Sequence, residues 1–240
     1  MEWPEWVQAT ALFPSLQGSM AEGLIPVFDH GAPAWSLLDP ASPTGLKQQL
    51  NAALEAHSGS TQDPAESGAT VDASQGPVVV DASATIEPSS HLIGPCYVGP
   101  LAEVRHGAYV RPFSWICSGA VVGHNTEIKH SVLLPGAKAP HFNYVGDSIL
   151  GKDVNLGAGT KLSNLRNDGG EVHIRYGGAR NASSLRTLGA MLVKAGQLGS
   201  NGVTTPRPVP GQKSGVGSNH TATRLQPEQK HQRLNKIPRR

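Results

Sequence analysis

Val80–Leu134 reads VDASATIEPSSHLIGPCYVGPLAEVRHGAYVRPFSWICSGAVVGHNTEIKHSVLL. Every sixth residue is aliphatic: Val80, Ile86, Leu92, Val98, Val104, Val110, Ile116, Val122, Ile128 and Leu134. Neither a helix nor an ordinary strand has that period. Four places after each aliphatic comes a second, mostly small series: Ala84, Ser90, Cys96, Ala102, Ala108, Ser114, Ala120, Thr126 and Val132. A large side chain that fills an axis, followed by a small one that lets a corner turn, is what the inside of a narrow parallel β-helix requires. Hexapeptide periodicity is a known sign of such a solenoid. Coils stack at the strand spacing of ~4.8 Å, and each buried aliphatic contributes ~1.5–3 kcal/mol. The expected fold class is all-β, a parallel β-helix built from hexapeptide repeats.

The flanks are of different material. Residues 1–56 concentrate the aromatics Trp3, Trp6, Phe13, Phe28 and Trp35, and Leu46, Leu50, Ala53 and Leu54 recur at helical spacing. A small, partly helical N-terminal cap is expected there, covering one end of the solenoid, where unpaired strand edges need protection. Residues 57–77 are too polar to pack and read as a linker. The β-helix is expected over 78–223, with loop insertions at 136–143, where the phase breaks, and at 166–185. Between them the repeat resumes as Leu150, Leu156 and Leu162, and Glu171–Tyr176 alternates like a hairpin arm. Leu192 and Leu198 restart the coil, but Thr204 and Pro210 stand where aliphatics belong, so the last coils are expected to be irregular. Residues 224–240 form a basic tail, which reads as solvated chain or as a clamp for an anion.

Aromatic residues at 5% and charged residues at 16%, with 28 glycines and 19 prolines, suit a turn-rich repeat protein with an aliphatic core. A formal charge of +2 supplies no general field for nucleic acid. The first residues carry neither a basic start nor an apolar h-region, and no apolar run reaches the ~18 residues a membrane span needs. Cys96 falls on an inward site and Cys117 on an outward one, so no disulfide is expected and the cytoplasm is the default compartment.

Chemistry enters through spacing. With three hexapeptides per coil, residues eighteen apart lie above one another, which stacks Arg111 on Lys129. Two such cations repel by up to ~1 kcal/mol unless an anion such as phosphate bridges them. His141, in Pro140-His-Phe-Asn-Tyr-Val-Gly-Asp147, can take a proton from an attacking amine. Glu127, outward like Lys129, is expected to hold the ring in its useful tautomer. Asn155 and Gly157-Ala158-Gly159 follow one strand later, where backbone amides could steady an oxyanion. His106 and His124 also stack, but a metal site needs a third imidazole and His130 lies on another face, so no metal is expected.

Arg111-Pro112, Glu127-Ile-Lys129, His141 with Tyr144-Val-Gly-Asp147, and Val154-Asn-Leu-Gly-Ala-Gly-Thr160 resemble the acetyltransferase domain of the bifunctional glucosamine-1-phosphate N-acetyltransferase and UDP-N-acetylglucosamine pyrophosphorylase. The chain also resembles short sugar-nucleotidyltransferase-like β-helix proteins, through Pro140–Gly151 and Leu185-Arg-Thr-Leu-Gly-Ala190. The resemblance implies a left-handed β-helix, a homotrimer with sites between subunits, and acetyl-CoA-dependent N-acetylation of an amino-sugar phosphate. Arg111 and Lys129 would hold the phosphate, Tyr144 and Asn155 the sugar, and His141 would be the general base. Ala158 would contribute to the acetyl-CoA site, and Ser200 after Gly199 is a further CoA contact. No Gly-rich nucleotide loop precedes the repeat, so pyrophosphorylase activity is not expected. The competing expectation is a noncatalytic trimeric scaffold or sugar-phosphate binder of the same fold.

Overall fold

The computed structural model describes residues 5–13, 23–176, 179–204, 215–216, 218–219 and 221–222. The basic tail at 224–240 and Pro210 lie outside the described residues. The repeat winds into a left-handed parallel β-helix, which among the described residues has three sheets of eight, six and seven strands. The first face includes His91–Ile93, Tyr109–Val110, Glu127–Lys129, Tyr144–Gly146 and Lys161–Leu162. The second includes Val78–Val80, Cys96–Val98, Ser114–Ile116, Ser131–Leu133, Ile149–Leu150 and Met191–Leu192. The third includes Glu103–Val104, Val121–His124, Lys138–His141, Asn155–Leu156 and Gln197–Leu198. The chain visits them in that order, coil after coil.

The aliphatic column from Val80 through Ile128 fills the axis, and the small series turns the corners with its hydroxyls satisfied. Ser90 Oγ donates to Glu87 O at 2.8 Å, Ser114 Oγ to Arg111 O at 2.7 Å, and Thr126 Oγ1 to Ala139 O at 3.1 Å. The tenth aliphatic departs from the expected phase. Leu133 enters the axis, whereas Leu134 packs outside the second face. The cause is a shortened corner: Glu127 pairs with Tyr109 eighteen residues back, but Ser131 pairs with Ser114 only seventeen back. His130 alone turns where Pro112 and Phe113 turned one coil earlier. Asp147 repeats the shortening, since Glu127 pairs with Tyr144 and Val132 with Ile149. Phe113, His130 and Asp147 occupy the left-handed position of successive corners, at φ of 63°, 42° and 45°.

The expected loop at 136–143 is therefore a correction. Lys138–His141 is a ladder strand, paired with Val121–His124 on one side and Asn155 on the other. Ala139 replaces a larger aliphatic on the axis, which is what hid the repeat. The polar stretch before the repeat is likewise not all linker: Thr70–Asp72 pairs parallel with His91–Ile93, and Asp63 caps a turn of 3-10 helix at Pro64–Ser67. Val71 lies twenty-one residues before its partner Leu92, out of phase with the six-residue count.

The N-terminal segment covers a side of the solenoid rather than an end. Leu46, Leu50 and Leu54 of the helix Leu46–Glu55 join Tyr97, Trp115, Val132, Leu134, Ile149 and Met191 in one buried cluster. Trp115 Nε1 donates to Leu24 O at 2.9 Å. The outward residues of the second face are apolar, while those of the first include His91, Tyr109, Glu127 and Tyr144. Burial of apolar area decides which side is covered. The excursion after Leu162 packs on the same side through Val172, Ile174, Leu185 and Leu188, and carries the antiparallel hairpin His173–Tyr176 with Ala179–Ala182. The axis resumes at Leu192, which pairs with Leu150, and Leu198, which pairs with Leu156. Thr204, which pairs with Leu162, is buried.

Candidate functional site

Arg111 and Lys129 occupy successive coils of the first face, as their spacing requires, but neither stands bare. Arg111 Nη1 lies 2.7 Å from Glu127 Oε1, and Lys129 Nζ lies 3.0 Å from Asp147 Oδ2. The expected repulsion of two unpaired cations is thus offset inside the chain. The Arg111–Glu127 pair is about a third exposed on both sides and so is worth at most ~1 kcal/mol. Asp147 is different, since its side chain is only 3% exposed. Its Oδ1 accepts from His130 Nδ1 at 2.8 Å, and Oδ2 also accepts from the Asn164 amide. Burial pushes this carboxyl up, and the His130 hydrogen bond, the Lys129 charge and the Asn164 amide outweigh that, leaving it below the usual carboxylate range.

Tyr144 stands on the same face, and its hydroxyl meets Asn164 Oδ1 at 3.4 Å. Burial, and then the nearby Glu127 and Asp147 carboxylates, push its phenol up. A cavity of about 290 Å³ lies at the corner between the first and second faces. Arg111, Phe113, Lys129, His130 and Asp147 line it from the coils. Pro40 and Lys47 reach it from the N-terminal segment, and Thr187 from the excursion. The two parts of the chain that do not repeat therefore meet at this corner.

The remaining expected site residues gather elsewhere. His141 ends the strand Lys138–His141 on the third face, exposed, opposite His124. No hydrogen bond or ion pair joins it to Glu127 among the described residues. Within one chain the Glu127 carboxylate is engaged by Arg111 instead. Asn155 is also on the third face, between Lys138 and Gln197. The Ala158 carbonyl accepts from Asn201 N at 2.7 Å, and exposed Ser200 lies close to Gly157, one coil on. A single chain thus separates Arg111, Glu127, Lys129 and Tyr144 from His141, Asn155, Ala158 and Ser200.

His106 and His124 stack at 5.6 Å between ring centroids, and each turns Nδ1 to a backbone carbonyl. Among the described residues no three His, Cys, Asp or Glu side chains are grouped to hold a metal ion. No helix among them is long and apolar enough to cross a membrane. Cys96 sits in the axis as a free thiol, pushed by burial up to about 12.

Residues 92–182 match the family model described as the GMPPB C-terminal domain. That domain match takes in both cation–carboxylate pairs, His130 and His141. Among curated proteins the chain is 44% identical over 85 residues to the bifunctional sugar-1-phosphate nucleotidylyltransferase/acetyltransferase of Sulfurisphaera tokodaii, covering 35% of this chain and 21% of that protein. It is 35% identical over 123 residues to the bifunctional protein GlmU of Methanococcus vannielii, covering 51% and 28%. The matches thus span between a fifth and a third of these relatives' own lengths. A solved hexapeptide transferase family protein from Anaplasma phagocytophilum is 14% identical, with a TM-score of 0.42 over 70% of this chain and 86% of that one. The GMPPB C-terminal domain match leaves out Lys47 and Thr187, which only the folded chain brings to the cavity.

Sequence reading missed His130, Asp147, Asn164 and Lys47 as members of one site. His130 and Asp147 are seventeen apart, invisible to a count of eighteen. Nothing in the order of residues ties Lys47 to them.

Proposed function

We propose that this chain transfers an acetyl group from acetyl-CoA to the amine of an amino-sugar phosphate in nucleotide-sugar metabolism, working as a homotrimer. The observation that carries this reading is the pair of cations on successive coils, Arg111 and Lys129, each backed by its own carboxylate at 2.7 and 3.0 Å. They lie within residues 92–182, the segment that matches the GMPPB C-terminal domain model. Backing carboxylates fix the donors in place without filling them, which suits a phosphoryl group that arrives and leaves.

In this reading Arg111 and Lys129 hold the phosphate, and Tyr144 with Asn155 holds the sugar. Ala158 and Ser200 contact the CoA. His141 accepts the proton as the amine nitrogen bonds to the thioester carbon and the thiolate leaves. Glu127 acts as a positioning residue for Arg111. The two residue groups stand on different faces of one chain, so a complete site forms where the first face of one subunit meets the third face of another.

The test is thiol release from acetyl-CoA with glucosamine 1-phosphate. His141→Ala should lower kcat by ~10²–10⁴, the usual range for loss of a general base, with KM changed only a few-fold. An assembled wild-type trimer that releases no thiol would leave a noncatalytic sugar-phosphate binder as the reading.

A further inference from the structure

We infer that Lys47 and His130 are ligand-contacting residues of the corner cavity, completing with Arg111 and Lys129 a cradle for a phosphomonoester. The inference rests on the reading above only for the identity of the ester; the cradle itself is argued from geometry.

His130 is 8% exposed and lines the cavity. Its Nδ1 faces the Asp147 carboxylate at 2.8 Å, and an ionised carboxylate only accepts, so Nδ1 carries a proton. Nε2 is then the ring's remaining polar atom, and it is buried without a hydrogen-bond partner. A polar atom left so is costly, and native structures rarely keep one without a use. A phosphoryl oxygen beside Nε2 would give it an acceptor once the ring is an imidazolium. Asp147 is suited to support that charge.

Lys47 comes from outside the matched domain. Its Nζ sits 4.8 Å above the Phe113 ring centroid, and Phe113 in turn meets the His130 ring edge-on at 6.3 Å. No carboxylate pairs with Lys47 among the described residues. The turn before it is pinned: Gln49 Nε2 donates to Val27 O at 2.8 Å and to Thr44 O at 2.6 Å. Around the cavity the cations Lys47, Arg111 and Lys129 face the carboxylates Asp147 and Glu127, which leaves positive charge in excess for an anion.

Titration calorimetry on the full chain tests this, with glucosamine 1-phosphate and inorganic phosphate as probes. Lys47→Ala should weaken ester binding about tenfold, as for loss of one charge-assisted contact, and Lys47→Arg should restore most of it. The ester should bind more tightly than inorganic phosphate, and equal affinity would overturn the assignment to an ester. Sulfate serves as a third probe, an anion that lacks the ester. His130→Gln should weaken sulfate binding about tenfold, as for loss of one hydrogen-bonded contact. Folded Lys47→Ala and His130→Gln proteins that bind all three probes like wild type would overturn the inference. Acetyl-CoA consumption is scored separately. Binding that depends on Lys47 and His130 without thiol release defeats the acetyltransferase reading alone, and thiol release with unaffected binding defeats the cradle alone.

Discussion

Asp147 takes hydrogen bonds or charge from Lys129, His130 and Asn164 while almost wholly buried. Its folded carboxyl is a stronger acid than the unfolded one, so the stabilisation is complete above the unfolded pKa of ~3.9. It is lost as pH falls through the depressed folded value. Asp147→Asn should therefore cost about 3–5 kcal/mol at pH 7, typical of breaking a buried pair. Urea unfolding at pH 7, 5 and 3 should show the gap between wild type and variant closing at the acid end. An unchanged gap at pH 3 would mean that the carboxylate's charge is not what stabilises the corner. At this scale the sequence was partly legible. Arg111 and Lys129 could be paired by counting, because the coil between them keeps its full eighteen residues. Their carboxylates could not, since Glu127 is taken by a cation one coil back and Asp147 lies beyond a shortened corner.

Within the coils, the strand Lys138–His141 shows how a missing side chain can be as specific as a present one. A Cβ on Gly123 would lie 1.8 Å from the backbone oxygen of Pro140 in the next coil, which a rigid ladder cannot yield. Gly123→Ala should lower stability by about 2–4 kcal/mol, at or above the usual cost of overpacking. Gly31→Ala is the control, since its added Cβ would meet only the Asp29 carboxylate, at 3.7 Å. Equal thermal midpoints for the two variants would show that the ladder can give way there. The six-residue column made the solenoid readable from Val80 to Ile128 because every corner there has the same length. From Ser131 onward the count slips by one at His130 and again at Asp147, so a six-residue count places Leu134 inside and reads Lys138–His141 as a loop. The helix Leu46–Glu55 was legible from its leucines, but the side it packs on depended on Tyr97, Trp115, Val132 and Ile149, outward residues to which the six-residue count gives no weight.

Among the described residues the solenoid has one covered side and two open ones, and the proposed active site needs residues from both open sides. Sedimentation at micromolar concentration should give a trimer, with stability that rises with protein concentration as assembly and folding are linked. A folded monomer under those conditions would break the proposed site apart, because Lys129 and His141 would then share no pocket. The covered second face also gives the molecule a sideways polarity. In any closed ring that joins the open faces, the helix Leu46–Glu55 and the hairpin at 173–182 must be carried on the rim, as cargo on the outside of a wheel. The corner cavity lies where this rim meets the hub-facing wall, so Lys47 reaches it from the rim side while Arg111 and Lys129 reach it from the hub side.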